Sequence, residues 1–306
     1  MSAPAGPGFG PTIDHRVEFA LLGLLALLWG SSYLFIRIAV AEIPPLTLIA
    51  ARVSGATLVL GLVLLGQGQR LPRDGRMWRA LGVQAFLNSI GAWTVLAWGQ
   101  QFVDAGLASV LNSTSPIFVI ALTAVFVRAA PVAPRKIVGA VLGFSGVVLI
   151  IGFEALQGLG ASVAGQLACL TGALMYAGAA LYGRRFGTLG AAVTATATMI
   201  WASAVLVPLA VIVDQPWTLT PGPRAILATL ALSVLCTGLA LVLYFRLLQT
   251  LGALGTASQA YLRAGVGLFL GVVFLGETLP VLALVGVGLA LVGVVLIVGQ
   301  RRAPAT

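Results

Sequence analysis

Charge is what this sequence has least of. Aspartate, glutamate, lysine and arginine together make up 8% of its 306 residues, where a soluble domain carries about a quarter. Hydrophobic residues make up 59%. An ordinary soluble domain is excluded, and the chain reads as an all-α integral membrane protein. Histidine occurs once, as His15, and cysteine twice, as Cys169 and Cys236 in different apolar runs. Two such cysteines make no disulfide framework, and no spacing of His, Cys and carboxylate suits a metal. The acidic residues are Asp14, Glu18, Glu42, Asp74, Asp104, Glu154, Asp214 and Glu277, and all fall at the ends of apolar runs or between them. No run therefore holds a mid-depth carboxylate or imidazole to relay protons or act as an acid/base pair. There is no HExxH pair, and no GxxxxGK[ST] loop to hold a nucleotide phosphate. A membrane-embedded enzyme is disfavoured, and transport driven by the chain's own ATP hydrolysis is excluded. No metal or cofactor is expected.

What the chain does have is apolar length. Ten runs, at about 19–39, 46–66, 78–99, 104–127, 136–153, 162–183, 191–213, 225–248, 252–275 and 280–299, are each near the span of a bilayer. Connections are short and are punctuated by Pro44–Pro45, by Pro131 with Pro134, and by the proline-rich 216–223. Residues 1–18 and 300–306 are expected to be flexible cytoplasmic tails. No small-residue cleavage pattern follows the first run, so no signal peptide is expected.

The net charge of +9 is read by position. With the N-terminus inside, 13 of the 17 cationic residues fall in inner segments and only Arg37 and Arg224 at outer ends. Arg52 and Arg263 lie within runs. This is a positive-inside signal, not a nucleic-acid patch. It predicts a multi-pass protein of a bacterial-type inner membrane with both termini cytoplasmic.

The halves repeat. A constant offset of 147 residues sets GVVLIIG at 146–152 on GVVLIVG at 293–299, and also Gly91 on Gly238, Gly139 on Gly286, Arg37 on Arg184 and Trp29 on Tyr176. Two repeats are expected, 19–153 and 154–299. Each has five runs, an odd number, so the second enters the membrane inverted. Inverted repeats around a midplane site are an alternating-access architecture.

These features resemble the drug/metabolite transporter superfamily, specifically its EamA-type ten-helix exporters. The residues that carry the resemblance are WGSSYLFIR at 29–37, PPLTLIAAR at 44–52, SPIF at 115–118 and GET at 276–278. It extends over about 19–299, and within the family the chain is most similar to YddG-like exporters of aromatic and other neutral amino acids. The resemblance implies a basket of helices around a cavity lined chiefly by helices 1, 3, 4, 6, 8 and 9. It implies amino acids or similar small metabolites as partners, with lipid around them. Export of drugs, nucleobases or a sugar phosphate is the rival reading. In one respect the chain departs from the family pattern. Many members carry proline midway along helix 9, where this chain has Arg263, the repeat partner of Pro116.

Candidate site residues follow from depth and face. Thr256, Gln259, Arg263 and Gly267 share one helix face. A cation at that depth costs at least about 3 kcal/mol and usually faces a cavity. Arg263 suits an anionic group such as a substrate carboxylate; the alternative is a structural arginine bonded to neighbouring carbonyls. Helix 4 offers Asn112, Ser113 and Pro116, whose ring removes a backbone hydrogen bond and frees carbonyls near it. Helix 3 offers Asn88, on one face with Gln84, as substrate contact or interhelical bond. Aromatics at depth are Trp29, Tyr33, Trp93, Tyr176 and Tyr261, as a slot for an apolar side chain or as packing. Arg52 reads as structural, bonded to carbonyls. The glycine faces at 139, 143 and 146 and at 286 and 293 read as seams within a monomer or across a homodimer.

Overall fold

A computed structural model of the chain describes residues 15–99, 102–103, 105–126, 132–157, 159–160, 162–275 and 281–299. The tails 1–14 and 300–306 and the GET motif at 276–278 lie outside them, as does the Tyr33 side chain. The described residues contain helices and no strand. We number the helices by apolar run. They are α1 (His15–Val40), α2 (Pro45–Gly66), α3 (Gly75–Gly99), α4 (Ala105–Asn112 with Ser115–Phe126) and α5 (Pro134–Ile151). Then come α6 (Val163–Gly183), α7 (Ala191–Asp214), α8 (Pro223–Thr250), α9 (Gly252–Ala257 with Gln259–Leu275) and α10 (Val281–Val298). Among the described residues, nine of these runs are helical, long and apolar enough to cross a membrane; α9 is divided at Ser258.

Local chemistry sets the ends. Pro45, Pro134 and Pro223 open their helices in the first turn, where a missing N–H costs nothing. Asp74 caps α3, its carboxylate accepting from the N–H groups of Arg76 and Met77 at 3.1 and 3.2 Å. Gly252 takes a φ of 73° between α8 and α9, a turn closed to most other residues.

Four helices are interrupted at depth. α4 breaks at Ser113–Thr114, just before Pro116. α9 breaks at Ser258 without any proline; there the buried hydroxyl donates to the Gly255 carbonyl at 2.6 Å. α3 and α8 each contain a π-turn, at Phe86–Ile90 and Val234–Leu239. Gly91 and Gly238, which the repeat offset superimposes, lie in or beside them.

The glycine faces form one intramolecular seam. A methyl group on Gly146 would lie 2.6 Å from the Ala290 nitrogen and 2.6 Å from the Gly286 oxygen, so α5 and α10 meet backbone to backbone. Around the bundle, Leu58, Leu65, Ile212, Phe269 and Leu291 are exposed, which suits a surface facing lipid.

Polar contacts mark the two ends. At the end where the described chain begins, the termini face, Arg246 meets the buried Glu18 carboxylate at 2.9 Å and the Thr250 hydroxyl donates to it at 2.8 Å. At the far face, Glu42 accepts from the Gly222 N–H at 2.6 Å. There too, Asp214 accepts from the N–H and hydroxyl of Thr47 at 2.7 and 2.8 Å.

The main helix pairings map onto one another when α1–α5 are exchanged for α6–α10. The pairs α1–α8 and α6–α3 correspond, as do α1–α9 with α6–α4 and α2–α8 with α7–α3. The match fails in one direction. The second half of α8 packs on α7, and the first piece of α9 on α6, closing the termini face. Their counterparts, the second half of α3 on α2 and the first piece of α4 on α1, pack far less among the described residues.

Candidate functional site

That asymmetry opens a cavity of about 400 Å³ toward the far face, where the exposed Val40 and Pro45 line its mouth. Its size lies within the range of small-molecule sites, about 300–1,000 Å³. Helices α1, α2, α3, α4, α6, α8 and α9 contribute to its walls. The closure beneath is mainly apolar, with Leu241, Phe245, Leu247 and Leu248 fully buried.

Of the residues expected from sequence, Trp29, Asn88, Trp93, Asn112, Tyr176, Gln259 and Arg263 line this cavity. Three others are placed elsewhere. The Tyr261 ring lies against Gly143 of α5, fully buried, and its hydroxyl donates to the Ala140 carbonyl at 3.0 Å. It is a packing residue: its position in α9, two residues before Arg263, turns it to a different face. Ser113 is buried and returns its hydroxyl to the Ser109 carbonyl at 2.8 Å. Pro116 is buried beneath the break it causes. Ser115 lines the cavity from the same turn.

Two carboxamides face the cavity from equivalent places. Asn112 on α4 and Gln259 on α9 are superimposed by the 147-residue offset. Each is over nine-tenths buried, and Asn112 Oδ1 and Gln259 Oε1 have no hydrogen-bond partner. A buried acceptor left unpaired costs about 1–3 kcal/mol. Sequence reading saw both residues and missed that they pair across the repeats.

Arg52 is structural as expected, and it also lines the cavity. Its Nε donates to Thr237 Oγ1 at 2.5 Å and an Nη to the Cys236 carbonyl at 3.1 Å. Its guanidinium lies over the Trp93 ring, 4.6 Å from the centroid. The same Cys236 carbonyl accepts from Trp29 Nε1 at 3.1 Å. Cys236 sits in the π-turn of α8, whose wider winding frees carbonyls from the helical ladder. One irregular turn thus holds Trp29 and Arg52 in place. Tyr244 on α8 adds a further aromatic, its ring 5.6 Å from that of Trp29. The repeat offset sets it on Ala97 of α3, which lines the cavity too.

Arg263 enters the cavity from α9. Gly30 allows this approach, since a methyl group there would lie 2.6 Å from Val266 and 3.4 Å from the Arg263 carbonyl. The described lining holds two guanidiniums, Arg52 and Arg263, and no carboxylate. It can accept an anionic group at Arg263, a donor-rich group at the carboxamide oxygens, and an apolar body among Trp29, Tyr176, Tyr244, Leu48 and Ile49.

The model of the EamA-like transporter family matches twice, over residues 18–152 and 163–299. The chain belongs to that family. It is similar to a protein of Escherichia coli (strain K12) named as an uncharacterized inner membrane transporter, YedA, at 28% identity over 94% of this chain and 92% of that one. A protein of Streptantibioticus cattleyicolor named as a "probable terminal-alkyne amino-acid exporter" is 29% identical over 93% of this chain and 96% of its own. A solved crystal structure superposes with a TM-score of 0.79 over 95% of this chain and 100% of its own, at 18% identity, which bears on the fold alone. The chain is a multi-pass membrane transporter.

Proposed function

We propose that this transporter exports amino acids, neutral and aromatic ones included, across the inner membrane by alternating access between two inverted repeats. The observation that carries the substrate class is the polar set of the cavity: the Arg263 guanidinium, with two unpaired carboxamide oxygens, in a lining whose described residues hold no carboxylate. A planar fork of donors suits a carboxylate. Unpaired oxygens suit an ammonium, which has three donors and no acceptor. An aromatic wall without a side-chain-shaped slot favours breadth among apolar side chains. A sugar phosphate, with about two charges, calls for several committed cations, whereas Arg52 already serves Thr237, Cys236 and Trp93. The exporter from Streptantibioticus cattleyicolor, named for an amino acid, lends support to the same class.

Alternating access draws on the one-sided packing. Contacts that seal the termini face have counterparts at the far face that are weakly made, so exchanging the two sets would open the other side. In this reading both termini are cytoplasmic and the structure is open outward. Counterflow in proteoliposomes against a panel of amino acids, amines and nucleobases tests the reading. Uptake driven by trans-loaded phenylalanine or threonine supports it. Exchange confined to nucleobases or amines contradicts it.

A further inference from the structure

Two polar stripes run from the cavity into the closed half of the bundle. On α3, Gln84 and Asn88 are four residues apart and share a face. Asn88 lines the cavity; Gln84, one turn nearer the termini face, is fully buried. Neither its Oε1 nor its Nε2 has a partner. On α9, Gln259 and Arg263 line the cavity, and Thr256 lies three residues nearer the termini side, before the break at Ser258. Thr256 is also fully buried with an unpaired hydroxyl.

Both are costly where they are. The Gln84 amide lies in the closure itself: a methyl group on Gly183, at the end of α6, would lie 3.2 Å from its Nε2 and 2.6 Å from Leu248 of α8. Leucine would fill that place without leaving two polar groups unmet. Other buried threonines solve the problem locally. Thr194, Thr196, Thr198 and Thr237 all donate to carbonyls of their own helices, at 2.7–2.9 Å; Thr256 does not. Two helices thus place an unpaired polar group just below the site, each within four residues of a side chain that lines it.

We propose that Gln84 and Thr256 line the inner half of the substrate path and bind the zwitterionic head group when the termini face opens. This rests on the alternating-access reading above. A carboxamide supplies donors and an acceptor, and a hydroxyl supplies one of each. Together they meet a carboxylate and an ammonium without a further charge.

Gln84→Cys and Asn88→Cys, each in a chain with Cys169→Ala and Cys236→Ala, are reconstituted and exposed to a membrane-impermeant methanethiosulfonate. Position 84 should react only from the termini side and position 88 from the far side as well. No reaction at 84 from the termini side while 88 reacts, or reaction at 84 from the far side, overturns the proposal. Gln84→Leu and Thr256→Val are then assayed for phenylalanine transport and for thermal unfolding. The expected result is a rise of about tenfold in KM at the termini side, the loss of a hydrogen bond to a charged group. KM at the far side and the unfolding temperature should hold or improve. Lowered unfolding temperatures with unchanged KM would show a structural role and overturn it. If position 84 labels as expected but phenylalanine is not carried at all, the path stands and the amino-acid reading fails.

Discussion

Asn112 and Gln259, on opposite repeats, each end in a buried oxygen that nothing among the described residues satisfies. Residues that hold helices together would be expected to find partners there, as Tyr261 does on Ala140. Their unpaired oxygens face the same cavity as Arg263. Gln259→Met and Asn112→Leu keep approximate volume and remove the acceptors. Each should raise KM for a neutral amino acid about tenfold, from the loss of a hydrogen bond to a charged group, without lowering the unfolding temperature. A carrier whose KM is unmoved by both would show that these oxygens do not meet the ammonium.

Arg52 and Arg263 should separate in their effects. Arg52 ties α2 to the π-turn of α8 and stacks on Trp93. Arg52→Gln should lower the thermal midpoint in detergent, by about 1–3 kcal/mol of stability, since it removes charge-assisted bonds to two acceptors. Arg263→Gln should instead act chiefly on transport of a carboxylated substrate, whose fork of donors it removes. Thermal melts of the first variant and phenylalanine flux through the second check this division.

Much of this architecture is legible in the sequence, because apolar length and charge at run ends are direct consequences of the bilayer. The break in α4 is equally legible, since Pro116 cannot continue a hydrogen-bonded ladder. The break at Ser258 is not. It depends on a serine hydroxyl turning back to Gly255 in a buried setting, and serine occupies regular helix elsewhere in the chain. Depth was readable and facing was not always so. Tyr261 and Arg263 are two residues apart, and the one lies on α5 while the other enters the cavity. Arg52 reads correctly as a carbonyl-bonded residue, but the acceptor is a π-turn carbonyl at the cavity wall, and π-turns have no strong sequence signal.

The seam between α5 and α10 makes a sharp steric forecast. Gly146→Val would drive its side chain into the backbone of Ala290 and Gly286. Overpacking against backbone costs about 1–3 kcal/mol or more, and little or no folded protein should elute from a sizing column. Gly23→Ala, with nothing within 4 Å of the added methyl, should elute as the parent does.

The pair Glu18–Arg246 holds α1 to α8 at the sealed face. Half of the Arg246 side chain is exposed, so the contact is worth at most about 1 kcal/mol. Glu18→Gln should therefore shift the balance between closed and open termini face by about fivefold at most. Spin-label distances across that face in the presence of substrate measure the shift. An unchanged distance distribution would show that the pair is no latch.

The most direct test concerns Arg263. Phenylalanine and its decarboxylated amine, phenethylamine, differ in the one group that Arg263 is held to bind. Counterflow of both is measured in proteoliposomes carrying the parent protein or a well-folded Arg263→Gln variant. The variant should lose about tenfold or more of its transport of phenylalanine, as expected for a missing charged hydrogen-bond pair, while movement of the amine is unchanged or improved. Equal impairment of both, in protein that elutes and melts like the parent, would contradict that role for Arg263.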